Sequence, residues 1–430
     1  MPLLYTYYGD DFTGSTDVLE QLASNGVPAV LFLTPPTLEH LALFPQARAI
    51  GIAGDARSRS PEWMSTHLPN LFLTLKSFAA PITHYKVCST FDSSPTTGSI
   101  GRAIDIGLEV FTPTFVPIVV GAPHLRRYIA FANLFASAPD GQIHRIDRHP
   151  MSRHPVTPMR EPDLRRHLAL QTTTPIALID TPTLHSGRAA EALQTLITGS
   201  PEGKPQAILF DTIDQPSQLA IGTLLWRESH RHPIVSASSS GLTAALIHGW
   251  RAAGEIPAAT PPTPVPPTKT PLLVLSGSCS AATERQLRYA LANGYHGIPL
   301  DPTDLDTHED REAILEATLT SLAAGHDTIL YTALGTPTEP AHGDQLGIAL
   351  GQLLKQILTH TKIQRVLLCG GDTSSHAVQQ LGLIALTWLA NLQPGAPLCR
   401  AHADGPLDGL ELVLKGGQVG TEDFFNIVKG

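Results

Sequence analysis

Several common features are scarce or missing in this chain, and each absence narrows its function. Its 430 residues hold four cysteines, Cys88, Cys279, Cys369 and Cys399, far apart and with no C-x-x-C pair. That argues against a disulfide framework and a zinc ribbon, and fits a reducing compartment. Positive charge is also short: Lys and Arg total 29 against 38 Asp and Glu, a net charge of -9. Such a balance offers no surface for nucleic acid or an anionic membrane, so a small-molecule partner is expected. No stretch reaches the ~18 uninterrupted apolar residues of a membrane helix, because Gly, Pro or a charge breaks every candidate. The opening run to Asp11 has no basic residue before it and two aspartates at its end, and reads as a first strand, not a signal peptide. A soluble cytoplasmic protein is expected. There is no G-x-x-x-x-G-K-[ST] loop, no G-x-G-x-x-G, no H-E-x-x-H and no G-x-S-x-G, which weakens the P-loop, Rossmann, zincin and α/β-hydrolase readings.

What is present is 42% hydrophobic and 16% charged, enough apolar material for two or three domains. Gly254 to Pro271 contains seven prolines and predicts an extended, semi-rigid linker. It divides the chain into expected domains over 1–253 and 272–430. Upstream, strand-like runs at Leu3–Tyr8, Ala29–Leu33, Ala49–Ala53, Phe115–Val120, Ile176–Asp180, Ala207–Asp211 and Ile234–Ala237 alternate with helical stretches such as Thr16–Ser24 and Gly187–Thr198. Downstream the alternation restarts, with strands at Leu272–Ser276, His296–Leu300, Thr328–Thr332 and Val366–Cys369 between helical patterns. This rhythm predicts an α/β class, two domains with mostly parallel sheets, and a ligand cleft between them.

The first candidate site is Gly9-Asp10-Asp11-Phe12-Thr13-Gly14-Ser15-Thr16-Asp17, where the first strand passes into a helix. Ligands of open α/β sheets sit at such strand ends. Asp10 and Asp11 with Thr13 would hold substrate hydroxyls, one aspartate acting as general base; the structural alternative is that Asp11 or Thr13 caps the helix. Asp17, already inside the helix, is ambiguous. Ser276-Gly277-Ser278-Cys279-Ser280, Cys369-Gly370-Gly371-Asp372-Thr373-Ser374 and Lys415-Gly416-Gly417-Gln418-Val419-Gly420 are turns whose backbone amides suit phosphate. Each alone is common, but three in one domain favour a nucleotide. A further group, Ser58-Arg59, then Lys86 to Ser94 with Ser89, then Gly98 to Arg102, combines small hydroxyls with cations that grip a carboxylate. It reads equally as a polar loop. His149 and His154, in the Arg-, His- and Pro-rich run Ile146–Pro158, lack a metal-ligand spacing, and a rigid loop over an anionic substrate is the better reading.

Taken in order, GDDFTGSTD, GSCSAAT, CGGDTSS and LVLKGGQVG resemble the four-carbon acid sugar kinase family over nearly the whole chain, most specifically by pairing D-D-x-T-G with G-G-D-T. The resemblance implies an N-terminal domain for the acid sugar, a C-terminal domain with a non-P-loop ATP site, and Mg²⁺ bridging phosphate oxygens. It puts Asp10, Asp11, Thr13, Asp17 and Arg59 on the sugar side, and Ser278, Gly370, Gly371, Asp372, Thr373 and Gly417 on the nucleotide side. Where the family commonly has x-D-S-T-L-R-G after its lysine, Lys86 is followed by Val87-Cys88-Ser89-Thr90-Phe91-Asp92-Ser93, with Cys88 for the aspartate and Asp92 for the arginine. Loss of that guanidinium, or its replacement by Arg102, should change the acid accepted. KVCSTFDSSP and IDRHPMSRHPVTPM resemble a branch of the family acting on 3-oxo-isoapionate. A tetronate such as D-threonate or D-erythronate is the alternative, with a non-catalytic sensor, or a hydrolase or lyase using Ser89 or His149, as rivals of another class. A homodimer would be unsurprising, and no residue pattern specifies it.

Overall fold

The computed structural model describes residues 2–138, 140–200, 203–258, 263–305, 307–334 and 343–430. It divides into two compact units, Met1–Ala29 with Pro45–Thr260, and Val30–Phe44 with Pro261–Gly430. Both have α/β architecture built on mostly parallel sheets.

In the first unit, the strands run in the order Ile234–Ser238, Ile82–Lys86, Tyr5–Gly9, Ala49–Ala53, all parallel. Tyr5–Gly9 is buried along its whole length, as expected of a strand with neighbours on both sides and helices over both faces. Its register sets Gly9 opposite Ala53 on one side and Lys86 on the other. Residues just beyond these three strand ends therefore converge. A second parallel sheet joins Phe115–Ile118, Gln206–Phe210 and Ile176–Ile179, and an antiparallel meander joins Arg127–Ala130, Asn133–Ser137 and Ile143–Arg145.

In the second unit, Glu411–Lys415, Arg365–Cys369, Leu273–Ser276, Thr328–Tyr331 and His296–Pro299 form a parallel core. An antiparallel arm of Ala29–Phe32, Ala385–Gln393 and Ala396–His402 extends it beyond Glu411–Lys415. Again the glycine-rich turns fall at the carboxyl ends of parallel strands.

Three features depart from the sequence reading. Ile82–Lys86 is a central strand although its His84 and Lys86 interrupt the apolar pattern; both are buried, and the ring of His84 is tied to Tyr5 Oη and to the Ser238 carbonyl at 2.8 Å. The first meander hairpin turns at Phe131 and Ala132, both at positive φ (48° and 66°), a turn carrying no Gly or Asn to announce it. Its two amides donate to the buried carboxylate of Asp211 at 2.7 and 2.9 Å, which secures the strained pair. Finally, the proline-rich segment is anchored at its described ends. Ile256 is buried, Thr268 N donates to the Lys429 carbonyl at 3.1 Å, and buried Arg365 donates to the Pro266 carbonyl at 2.6 Å.

Candidate functional site

The Asp-Asp pair begins where Tyr5–Gly9 ends. Asp10 N donates to the Lys86 carbonyl at 2.9 Å, which continues the strand pairing by one residue and draws Asp10 into the interior, 3% exposed. Asp11 turns the chain into the helix Phe12–Ser24 and caps it: Oδ1 accepts from Gly14 N at 2.9 Å and Oδ2 from Thr13 Oγ1 at 2.8 Å. The capping reading is thus correct for Asp11, and Thr13 supports the cap.

Both carboxylates are gripped by a side chain the sequence reading passed over. Arg57 donates through Nε and Nη2 to Asp10 at 3.2 and 2.7 Å, and through Nη1 and Nη2 to Asp11, both at 2.9 Å. Lys86 completes the group: a Cβ placed on Gly14 would lie 2.7 Å from its Nζ and 2.3 Å from Asp11 Oδ1, so a larger residue there would push both charged groups apart. The result is two anions facing two cations at one sheet edge. Their protonation is unequal. Burial pushes Asp10 up to about 6 against the pull of Arg57, and the charge of Asp11 adds to the rise. Burial acts the same way on Asp11, but Arg57, Lys86 and the Thr13 and Gly14 hydrogen bonds outweigh it and hold Asp11 below the usual carboxylate range.

The remaining residues predicted for this side divide. Arg59 pairs with Asp55 and lies over the Trp63 ring, 5.5 Å from its centroid, while its neighbour Arg57 holds the aspartates. Arg102 does not replace the missing guanidinium: it donates to Ser65 Oγ at 2.9 Å and faces Glu109 at 3.7 Å. Asp17 accepts from Gln21 at 3.0 Å, one helical turn further on. Ser89 is half-buried on the loop after Lys86. On that loop Cys88 Sγ lies 2.9 Å from Thr90 Oγ1, which donates to Asp92 at 2.5 Å; Cys88 and Asp92 both act electrostatically on Arg57. Burial raises the Cys88 thiol to about 11, so it stays neutral. Ser93 turns away to His167 Nε2, 2.9 Å off, which burial lowers to about 4 and keeps uncharged. Both ring nitrogens of His149 are engaged, Nε2 by the Ser137 carbonyl at 3.1 Å and Nδ1 by Met151 N at 3.2 Å, which suits a loop brace and not a reactive base.

In the second unit the three turns meet. Gly277 N donates to the Cys369 carbonyl at 3.2 Å and Gly370 N to the Lys415 carbonyl at 2.9 Å. Ser278, Gly370, Thr373 and Gly417 are brought together, and a Cβ on Gly417 would lie 2.9 Å from Ser278 Oγ. The helix Gly371–Gln379 starts at Gly370 with no side-chain cap, leaving its first amides available to an anion. Ser276 and Ser374 hydroxyls are buried there without a partner among the described residues. The side chain of Asp372 lies outside the described residues. Lys415, named in the sequence only as the start of its turn, is wholly buried beneath it. Among the described residues there is no group of three or more His, Cys, Asp or Glu that could hold a metal ion.

Residues 5–246 match the family model described as a sugar-binding N-terminal domain, and residues 273–425 the one described as a nucleotide-binding C-terminal domain. The 3-oxo-isoapionate kinase of Paraburkholderia graminis is 44% identical over 99% of this chain and 94% of that protein. The 3-oxo-tetronate kinases of Cupriavidus necator and Methylobacterium radiotolerans are 30% and 29% identical, covering 97% and 99% of this chain and 94% and 98% of theirs. A crystal structure from Salmonella typhimurium LT2 shares the fold with a TM-score of 0.81 at 25% identity, covering 99% of this chain and 98% of that one. One from Haemophilus influenzae does so at 0.74 and 25%, covering 99% of each. No helix among the described residues is long and apolar enough to cross a membrane. With both domain models matched in order and kinases similar to it along their full length, the chain belongs to the four-carbon acid sugar kinase family.

Proposed function

We propose that this protein transfers the γ-phosphoryl group of Mg-ATP to a hydroxyl of a small acid sugar, with 3-oxo-isoapionate the favoured acceptor. The observation that carries the reading is the Asp10–Arg57–Asp11 cluster, with Asp10 buried and its partners half-buried, beside Lys86, joined to 44% identity with a 3-oxo-isoapionate kinase. Phosphoryl transfer passes through a loose transition state, so the protein's main tasks are alignment and charge neutralisation. The acceptor hydroxyl attacks the γ-phosphorus, the bond to ADP breaks, and the hydroxyl proton passes to a carboxylate.

Asp10 is the better base of the two. Raised to about 6, it is ionised at neutral pH yet more basic than an ordinary aspartate, whereas Asp11 is held low and already caps a helix. Arg57 keeps Asp10 oriented, and Lys86 supplies positive charge for the acid. Cys88, Ser89, Thr90 and Asp92 give the acceptor side hydroxyl and carboxylate partners in place of a guanidinium, which suits a hydroxyl- and keto-rich molecule better than a second carboxylate clamp. On the donor side Ser278, Gly370, Gly371, Asp372, Thr373 and Gly417 would receive the phosphate chain, with Mg²⁺ on the phosphate oxygens neutralising developing charge.

The test is ADP release from Mg-ATP by the purified protein across 3-oxo-isoapionate, 3-oxo-tetronates, D-threonate and D-erythronate, with a no-acceptor control. Release confined to 3-oxo-isoapionate is expected. Preference for a tetronate would move the substrate, and release with no acid, despite ATP binding, would remove the kinase reading.

A further inference from the structure

Lys415 ends the buried strand Glu411–Lys415 with its side chain wholly inside the protein. Its ammonium donates to Thr283 Oγ1 at 2.9 Å, to the Gly416 carbonyl at 3.2 Å and to the Gly417 carbonyl at 3.5 Å. All three acceptors are neutral, and no acidic side chain lies within ion-pair distance of Lys415 among the described residues. Burial lowers the Lys415 ammonium from its ordinary value, and Cys369, which opposes that shift, is itself raised by burial to about 11 and brings no charge. A buried cation with no anion costs folding energy that an apolar residue would not.

The loop above it is arranged around the same point. Ser280 and Thr283 both donate to the Gly417 carbonyl, Thr283 at 2.9 Å, while Gln286 donates to the Val419 and Thr421 carbonyls at 3.0 and 2.9 Å. Ser280, Thr283 and Gln286 follow at intervals of three along the cap and first turns of helix Ala281–Ala292, so one helix face holds the loop by its carbonyls. Val419 N closes the turn onto the Gly416 carbonyl at 3.2 Å, and the amides of Gly417 and Gln418 have no protein acceptor among the described residues. Carbonyls drawn inward and two amides left open are what an anion-binding turn requires.

We infer that Lys415 is a positioning residue for the nucleotide: through Thr283 and the Gly416 and Gly417 carbonyls it sets the turn whose amides receive phosphate, and the phosphate charge supplies the counter-ion that the described residues do not. This rests on the nucleotide reading above and adds to it an anion-specific role for a residue that does not itself reach the surface.

Calorimetry with ATP and with adenosine, on the full chain and on Lys415→Met, Lys415→Arg and Thr283→Val, tests it. Lys415→Met should weaken ATP on the order of 10- to 100-fold while adenosine changes less than about 3-fold, the loss expected of a charge-assisted contact. Thr283→Val should shift the ATP-to-adenosine ratio the same way by a smaller factor, and Lys415→Arg should recover part of it. Should Lys415→Met fail to fold, the Thr283→Val ratio decides. Equal losses for ATP and adenosine, or unchanged ATP affinity, overturn the role of Lys415. If the wild-type chain binds no ATP, the nucleotide reading itself fails and the inference goes with it.

Discussion

Replacing Arg57 by leucine gives the sharpest test of the electrostatics at the aspartate pair. The change removes four hydrogen bonds to Asp10 and Asp11 at once. Asp11 is 21% exposed and keeps Lys86, Thr13 and Gly14, so the loss falls mostly on Asp10, whose side chain is 4% exposed. Stripping one partner from a buried ion pair costs about 3–5 kcal/mol when the other stays charged. Asp10 can avoid part of that cost by holding a proton, which makes the penalty depend on pH. A native carboxylate whose pKa is raised keeps a proton the unfolded chain has released, so stability is intact below the unfolded value of about 3.9 and falls as pH climbs towards the folded value. In the wild type that fall is over by about 6. In Arg57→Leu it continues above 6, because both carboxylates then rise. The difference between variant and wild type should be under about 1 kcal/mol near pH 5 and reach about 3 kcal/mol near pH 8. Urea unfolding followed by tryptophan fluorescence reads the relevant unit, since Trp63, Trp226 and Trp250 lie in it and Trp388 does not. A difference that stays constant from pH 5 to pH 8 would refute the account of Asp10.

Four further outcomes follow from the geometry. Asp10→Asn should lower kcat by roughly 10²- to 10⁴-fold with ATP affinity unchanged by calorimetry, and Asp11→Asn should cost less; the reverse order would exchange their roles. In the wild type kcat/KM should fall as pH drops through about 6, where Asp10 takes up its proton, a limb that a pH–rate profile records. Gly417→Ala places a methyl 2.9 Å from Ser278 Oγ, so steady-state kinetics should show KM for ATP rising about tenfold, with KM for the acid sugar unmoved. Arg365→Met leaves buried Glu411 without its 2.6 Å partner and frees the Pro266 and Val428 carbonyls, and should destabilise the second unit by about 3–5 kcal/mol, read by hydrogen exchange in Arg365–Cys369.

Local rules carried the sequence reading some way. Ala49–Ala53 could be placed to the residue, and the Gly370-Gly371 turn was recognised as a strand passing into a helix, because apolar runs and glycine punctuation lie in a few consecutive residues. Ile82–Lys86 escaped because its polar side chains find partners only across the sheet, Thr83 meeting Thr6 at 2.9 Å. Arg57 escaped for a related reason. It lies 46 positions from Asp11, and nothing beside it in sequence distinguishes it from Arg59. A signal did exist: Arg57 follows Ala49–Ala53 as Asp10 follows Tyr5–Gly9, and parallel neighbours bring their carboxyl ends together. Which of two nearby arginines turns inward is set by the short 3₁₀ turn Ala56–Ser58, and periodicity says nothing of that.

Each unit sets a cation at the carboxyl ends of its parallel strands, Arg57 half-buried and Lys415 fully buried, and the surroundings of the two differ. Arg57 is answered by Asp10 and Asp11 from its own chain, so with Lys86 the site is close to charge balance and offers an incoming molecule a base more than a strong positive field. A hydroxyl that must lose a proton is served by that arrangement. Among the described residues Lys415 has only neutral oxygens around it, together with open amides at an uncapped helix and a glycine turn, so the positive field they leave is open for a ligand to neutralise. A polyanion is served by that one. On the proposed assignment, acceptor and donor are distinguished by where the fold supplies the counter-charge, and exchanging the two patterns, an aspartate beside Lys415 or the loss of both aspartates beside Arg57, should disable each site for its own ligand.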